Sequence, residues 1–366
     1  MIKSRKNSII IAVCTILLVS IGVVMVYSAS RHSAQYNYNN KYFYMIKQLI
    51  GAVLGLGAMI ATSFINHKIY KKFYIVAYII GVVLLVLVFV PFLSKSSYGA
   101  TRWINLGGFT IQPSEIAKFC LVLFLSATLS QGKSVNKVSK LLLVLFAGVV
   151  YCVLIMLEPN MSITICVGLT LVVMLFVGGL NLKTFALGAI PIILLGVALV
   201  VMEPYRLRRI VAFINPWENP LEEGYQLIQS IYAISSGGLF GVGLFNSRQA
   251  QLFLPFAESD FIFSIICEEL GLIGGIGVLL IYLILIITII KVGLKAKSKF
   301  SSLLCIGIAT VLGVQTVLNV CVVSGLIPPT GLPLPFISAG STSIVVFMAA
   351  MGVVLNVDRQ SRKSQI

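Results

Sequence analysis

Ten apolar stretches, each long enough to cross a lipid bilayer, constrain this chain more than any other feature of its sequence. A helix needs roughly 20 residues to cross the hydrocarbon core. The stretches lie at about 9–27, 43–64, 74–93, 113–130, 141–158, 161–179, 184–202, 259–290, 302–326 and 338–357. The sequence therefore predicts an all-α, polytopic integral membrane bundle of about ten transmembrane helices, forming a single domain over residues 1–366.

Composition excludes a soluble fold, because 58% of the residues are hydrophobic and only 10% are charged. A soluble domain carries roughly 25% charged residues. The net charge of +16 could indicate nucleic-acid binding in a soluble protein. Here no basic stripe with interleaved aromatic residues lies outside the apolar stretches, and lysine and arginine in short loops orient membrane helices. We expect a membrane environment and no nucleic-acid partner.

The basic residues predict the orientation of the chain. With the N-terminus in the cytoplasm, the larger share of the 27 lysines and arginines falls in cytoplasmic segments, and an even number of spans returns the C-terminus to the same side. Of the 11 acidic residues, only Asp358 is then cytoplasmic. This asymmetry predicts chemistry at the outer face, where the long connection 203–258 also lies. Connections of this length are usually functional.

Two of the outward-facing helix starts carry a carboxylate beside a second polar residue. The fourth span begins at Pro113, with Glu115 in its first turn and Lys118 on the same face. A functional pair and a capping carboxylate with a membrane-edge lysine are equally good interpretations of it. At the sixth span, Asn160 is interpreted as a helix cap, whereas Glu158 is harder to explain structurally.

Acidic residues also mark the eighth span. Asp260 lies at its outer start, and Glu268 and Glu269 lie well inside the apolar run. Ionisable residues within a span are costly and indicate function by default, although internal pairing can explain the two glutamates. For Asp260 we favour function. The tenth span follows a proline-rich segment that ends near Ser338, which we interpret as a packing hinge.

Several helix N-termini therefore face the exterior beside basic side chains. Free N–H groups at helix starts bind anions, and arginine suits phosphate. The predicted ligand is an anion at the outer membrane surface, next to a carboxylate. The basic residues are Arg102, Lys118, Arg206, Arg208, Arg209 and Arg248. Nucleotide hydrolysis is not expected, since the chain has no Walker loop or dinucleotide fingerprint.

These segments resemble the SEDS family (shape, elongation, division and sporulation), which contains FtsW, RodA and SpoVE, and its division and sporulation members in particular. The matching segments run in family order along nearly the whole chain. They are Gly99–Ile104, Ile111–Lys118, Pro204–Ile210, Asn215–Trp217, Gly224–Ser230, Ser247–Gln249, Ser259–Phe263, Glu268–Gly271 and Leu334–Ser338.

The resemblance implies a peptidoglycan glycosyltransferase in the bacterial cytoplasmic membrane. It would polymerise lipid II, the undecaprenyl-pyrophosphate-linked disaccharide peptide, together with a class B penicillin-binding protein and other division or sporulation cell-wall proteins. The family's catalytic aspartate falls on Asp260. Its binding residues fall on Glu115, Lys118, Arg102, Trp103 and Lys47.

As a hypothesis, Asp260 is the general base, and Lys118, Lys47, Arg102 and Arg206 stabilise the departing pyrophosphate. Arg248 is a further candidate for substrate binding. Glu115 would orient Lys118 or help to hold a divalent cation, Mg²⁺ or Mn²⁺; no cofactor is otherwise implied. Candidates for a supporting role are Asn160, Glu158, Glu268, Glu269 and Ser338.

The chain departs from the family pattern near these residues. The usual Pro-Asp-x-Gly is Pro159-Asn160-Met161-Ser162, which removes one negative charge, and the usual Tyr-Gly-Gly-Ser is Ala339-Gly-Ser-Thr342. A reduced or specialised activity stays open. Two other functions also stay open: a flippase for lipid II, and a catalytically silent scaffold for the transpeptidase. A flippase would need polar residues distributed through the bundle and an anion site on the cytoplasmic side.

Overall fold

The computed structural model describes most of the chain as helices of membrane-spanning length. The described residues are 5–92, 94–97, 100–107, 109–131, 135–182, 184, 213–222 and 224–363. Within them, eight helices are long and apolar enough to cross a membrane. A ninth apolar helix, Tyr74–Leu87, is shorter. The seventh predicted span, 184–202, and the arginines at 206, 208 and 209 lie outside the described residues, apart from position 184.

Eleven helices are found in the part of the chain that the structure describes. They are α1 (Lys6–Tyr38), α2 (Phe43–Phe64), α3 (His67–Lys72), α4 (Tyr74–Leu87), α5 (Pro113–Ser130), α6 (Val138–Leu157), α7 (Met161–Gly178), α8 (Tyr225–Gly237), α9 (Ile262–Leu294), α10 (Lys299–Val323) and α11 (Ser341–Lys363). The bundle is that of a polytopic helical membrane protein. Helix α1 continues well beyond the apolar stretch 9–27, and α4 ends before residue 93.

One element departs from the all-α expectation. The connection between α4 and α5 forms a three-stranded antiparallel sheet of β1 (Ser94–Ser97), β2 (Ala100–Leu106) and β3 (Phe109–Ile111) in the order β1-β2-β3. Its physical reason is that a connecting segment must pair its backbone N–H and C=O groups, and hairpins do this locally. The sheet places β2 beside the start of α5.

Helix α10 holds the centre of the bundle, in contact with α5, α7 and α9, while α11 packs along α2 and α1 packs against α9. The α2–α11 contact is close enough to need glycine. A Cβ at Gly352 would lie 2.2 Å from the backbone oxygen of Met59. Small residues allow such close approach between membrane helices, where packing drives association.

Helix α9 is interrupted at Gly271, where φ is +68° and ψ is −173°. The segment that follows α8 runs alongside this interruption. The Val242 N–H donates to the Glu268 carbonyl at 2.9 Å, and the Leu272 N–H donates to the Gly238 carbonyl at 2.9 Å. Polar backbone inside a membrane bundle is tolerated only where other protein groups satisfy it. The interruption therefore fixes the N-terminal part of α9, which Asp260 directly precedes.

Candidate active site

Asp260 lies directly before α9 and is half-buried. The Ser259 hydroxyl donates to its Oδ1 at 2.9 Å, and the Asn319 amide donates to its backbone carbonyl at 2.8 Å. Its Oδ2 faces Gly331, where a Cβ would lie only 2.9 Å away. The carboxylate is thus held by its own loop on one side and by the proline-rich segment 328–340 on the other.

That segment is fixed at its far end by Ser338 and by a side chain of α2. The Ser338 hydroxyl donates to the Ser259 carbonyl at 2.5 Å and accepts from the Leu334 N–H at 2.7 Å. The Gln48 amide donates to the carbonyls of Ile337 and Ser338, each at 3.1 Å. Ser338 therefore positions the loop that carries Asp260, which is more than the packing hinge expected from the sequence.

Glu115 and Lys118 form an ion pair inside the bundle, with 2.8 Å between Lys118 Nζ and Glu115 Oε1. Glu115 is fully buried and Lys118 is 1% exposed. The ammonium also donates to Gln315 Oε1 at 2.5 Å and lies 5.4 Å from the centre of the Phe347 ring. The pair is thus a buried unit of α5, α10 and α11, and the simple membrane-edge interpretation of Lys118 is wrong.

One face of α10 joins this pair to the Asp260 region. Gln315 and Asn319 are one helical turn apart, and each donates to the proline-rich segment: Gln315 to the Pro333 carbonyl at 2.8 Å, and Asn319 to the Leu332 carbonyl at 2.6 Å. Gln315 also accepts a hydrogen bond from the Lys118 ammonium. Asn319 in turn donates to the Asp260 backbone carbonyl. The Lys118 ammonium and the Asp260 carboxylate are therefore brought to neighbouring parts of one site.

Sequence reasoning missed Gln48, Gln315 and Asn319. The signal was available, since Gln315 and Asn319 are amides four residues apart within an otherwise apolar span. Polar side chains in that setting face the bundle interior, where they form hydrogen bonds. All three side chains are buried, at 1% exposure or less.

Arg102 on β2 contacts the connection between α6 and α7. Its Nε donates to the Glu158 carbonyl at 3.2 Å, and its Nη2 donates to the Pro159 carbonyl. Asn160 caps α7 by accepting from the Ile163 N–H at 3.3 Å, as its sequence position indicated. The Ser162 hydroxyl donates to the carbonyl of Thr330, so the start of α7 also contacts the proline-rich segment.

Glu158 follows the end of α6 and is fully buried, with no hydrogen-bond partner for either carboxylate oxygen. Burial raises its pKa to about 8, and the nearby positive charge of Arg102 opposes the shift. Burial also raises the pKa of Glu258, next to the Asp260 loop. A carboxyl such as Glu158 can hold a proton at neutral pH.

Glu268 and Glu269 are buried further along α9 and hold a different loop. Glu268 accepts from the Ser247 hydroxyl at 2.5 Å and from the Arg248 N–H at 2.9 Å. Glu269 accepts from the Ser28 hydroxyl, so it joins α1 to the same loop. The internal-pairing interpretation therefore fits these two glutamates, with neutral donors as their partners.

The remaining predicted basic and aromatic residues lie near the start of α2, on β2 and in the loop before α9. The Lys47 side chain is exposed, with its ammonium 4.3 Å from the centre of the Phe43 ring. Trp103 is half-buried, and the Arg248 side chain is exposed. Arg206 lies outside the described residues.

The donor set near Glu115 does not fit a divalent cation. Its Oε2 is buried without a hydrogen-bond partner, but its Oε1 is neutralised by Lys118. The described residues contain no group of three or more His, Cys, Asp and Glu side chains that could hold a metal. Hard cations prefer several oxygen ligands, and an ammonium beside the only carboxylate opposes their binding.

The sequence matches the family model "Cell cycle protein" (FtsW, RodA, SpoVE) over residues 8–363. It is 39% identical to stage V sporulation protein E of Bacillus subtilis, over 98% of this chain and 99% of that protein. It is 36% identical to a Geobacter sulfurreducens protein named "Probable peptidoglycan glycosyltransferase FtsW", over 96% of this chain and 95% of that protein.

Two solved structures share the fold. One is a chain from a peptidoglycan synthase complex, described as coordinating polymerization and crosslinking, with a TM-score of 0.80 and 28% identity over 96% of this chain and 97% of that chain. The other is the rod shape determining protein RodA of Thermus thermophilus, with a TM-score of 0.71 and 26% identity over 96% of both chains.

Proposed function

Because the chain belongs to the FtsW/RodA/SpoVE family of cell cycle proteins, we propose that it is a peptidoglycan glycosyltransferase that polymerises glycan strands from lipid II. The relatives named as a sporulation protein and as a peptidoglycan glycosyltransferase support a role in sporulation or division cell-wall synthesis. The chain is a multi-pass membrane protein. Both termini lie in the cytoplasm in this proposal, so that the site around Asp260 opens to the exterior.

The single observation that carries the proposal is the position of the Asp260 carboxylate. It is half-buried at the outer start of α9, while the nearby Glu115–Lys118 pair is enclosed. A half-buried carboxylate can contact a substrate hydroxyl and exchange protons. The Ser259 hydroxyl donates to the carboxylate and the Asn319 amide donates to the Asp260 backbone carbonyl, which together give the fixed geometry that a general base needs.

In the proposed mechanism, Asp260 removes the proton from a sugar hydroxyl of the acceptor. The resulting oxygen nucleophile attacks the anomeric carbon of the donor, and the bond from that carbon to the lipid pyrophosphate breaks with inversion. The pyrophosphate leaves with the bonding electron pair. No nucleotide is required, because the pyrophosphate already activates the donor.

Basic residues would stabilise the pyrophosphate as it leaves. Arg102 is partly exposed and anchored to the α6–α7 connection, and Lys47 is exposed on α2, so both can contact a ligand that arrives from the membrane surface. Lys118 is only 1% exposed. In this conformation it acts by holding Glu115 and Gln315 and by its positive field. No step uses a metal ion, because the donors near Glu115 do not fit one.

A class B penicillin-binding protein is the proposed partner, and the chain's similarity to a component of a peptidoglycan synthase complex supports it. The flippase and scaffold alternatives are not favoured by the names of the relatives. Asp260 and the Glu115–Lys118 pair lie at the starts of α9 and α5, and both are linked to the proline-rich segment, which suits chemistry at one face better than passage through the bundle.

The test is reconstitution of the purified chain with lipid II and the partner transpeptidase in liposomes. Wild-type protein should produce glycan strands, and Asp260→Asn should abolish them while keeping the thermal unfolding midpoint. Glu218→Gln, an exposed carboxylate in an outer connection, is the matched control and should stay active. Leaflet transfer of lipid II without strands would indicate a flippase, and neither activity would indicate a scaffold. Full activity of Asp260→Asn would remove Asp260 from the mechanism.

A further inference from the structure

A cavity opens at the end of the bundle where α1 begins and α11 ends, away from the Asp260 site. Its volume is about 310 Å³, and its lining includes Arg5, Arg359, Arg362, Ile9 and Leu355. Helix α1 begins here, α2 ends here at Phe64, and α11 ends here. Three membrane-length helices terminate around it, so the cavity lies at the boundary between hydrocarbon and water.

The lining carries three guanidinium groups and only one nearby carboxylate, and that carboxylate is already paired. Asp358 lies 3.1 Å from Arg362 Nη2 and accepts from the Ser8 hydroxyl, to which Arg362 also donates at 2.8 Å. This closed cluster joins α1 to α11. Within the described residues no carboxylate forms an ion pair with Arg5 or Arg359, so two of the three guanidinium groups have no carboxylate partner in that part of the chain.

The apolar side chains beside these charges are exposed on the surface of the bundle. Ile9 is 57% exposed and Phe64 is 66% exposed, and the Arg359 guanidinium lies 5.0 Å from the centre of the Phe64 ring. An arginine stacked on an aromatic ring is held in place with its N–H groups directed outward. The cavity thus combines a phosphate-binding edge with an apolar wall at the same membrane depth.

We propose that this cavity binds the headgroup of an anionic phospholipid. The phosphate would bind between Arg5 and Arg359, and the first carbons of the acyl chains would lie along Ile9 and Leu355. Basic pockets between helices at the membrane surface recognise such headgroups. The Ser8–Asp358–Arg362 cluster joins only the ends of α1 and α11. The bound lipid would also join the end of α2 to them. This site is independent of the proposed polymerase activity.

The test compares lipid binding by three forms of the full-length chain, measured by native mass spectrometry from detergent. The forms are wild type, the double variant Arg5→Gln with Arg359→Gln, and the control Lys291→Gln with Lys295→Gln, which removes two positive charges from exposed positions around the end of α9. Arg362 is left unchanged because it holds Asp358. The probes are phosphatidylglycerol, phosphatidylcholine and inorganic phosphate.

Wild type should prefer phosphatidylglycerol to phosphatidylcholine, and the arginine variant should lose about thirtyfold in phosphatidylglycerol affinity while the lysine control does not. Equal binding of both lipids by wild type, or an unchanged affinity in the arginine variant, would overturn the proposal. Inorganic phosphate that displaces phosphatidylglycerol at equal concentration would indicate a free-phosphate site instead. If the arginine variant does not fold, the test uses wild type alone. A preference for phosphatidylglycerol that weakens as the salt concentration rises would support the proposal, and a preference that does not change with salt would contradict it.

Discussion

Replacing Gly331 with alanine should impair the reaction by displacing the Asp260 carboxylate. The new Cβ would lie 2.9 Å from Asp260 Oδ2, and ordinary contact begins at 3.4 Å, so the carboxylate must move by about half an ångström. A misplacement of about 1 Å can cost 10²-fold in rate. We therefore expect roughly a tenfold loss of glycan polymerisation in Gly331→Ala.

Backbone strain must be separated from this displacement, because Gly331 has a φ of +68°. Gly325→Ala is a matched control: its φ is +70°, and the nearest neighbours of its Cβ would be Ile231 and Leu227, at 3.5 Å or more, which is ordinary van der Waals contact. Both variants should lose about 1–2 kcal/mol of stability from the left-handed conformation. Thermal unfolding and lipid II polymerisation would be measured on both. Equal activities in the two variants would refute the reasoning.

Two further predictions concern buried carboxylates. Glu115→Gln leaves the Lys118 charge enclosed beside Gln315 without its carboxylate partner, so it should cost about 3–5 kcal/mol in stability. The double variant Glu115→Gln with Lys118→Met should regain most of that stability and stay inactive. Thermal unfolding midpoints and polymerisation assays would be measured for both variants. Burial raises the pKa of Glu158 to about 8 in the folded chain, from 4.5 for a free side chain. Between these pH values the folded chain holds a proton that the unfolded chain has lost, so the stability of the fold should decrease as the pH rises. Glu158→Gln should remove this pH dependence. Parallel pH profiles for wild type and Glu158→Gln would contradict the burial argument.

Hydropathy alone predicted the helical membrane bundle, because lipid leaves the backbone few alternatives to the helix. It could not predict the three-stranded sheet, since residues 94–111 lie outside the apolar runs and their pairing depends on local turns such as Gly107. The interruption of α9 at Gly271 was also not predicted. It depends on hydrogen bonds to residues 238–243, which are distant in the sequence.

The candidate site was predictable where its partners are close in sequence. Glu115 and Lys118 are three residues apart on one helix, and that spacing alone brings them together. The contacts of Gln315 with Lys118 and of Asn319 with Asp260 span 197 and 59 residues. No local pattern specifies such pairs, although each amide in an apolar span indicates a partner somewhere in the bundle.

The arrangement on α10 explains why the buried ion pair matters to the half-buried carboxylate of Asp260. Gln315 binds Lys118 with its oxygen and the Pro333 carbonyl with its nitrogen, so the ion pair helps to fix the proline-rich segment. That segment carries Gly331 against Asp260 Oδ2, and Asn319, one turn further along α10, fixes both sides of the contact. Because the links made by Gln315 and Asn319 are hydrogen bonds inside a low-dielectric bundle, loss of one partner leaves another polar group unpaired at substantial cost. The ion pair can thus set the position of Asp260 without touching the substrate.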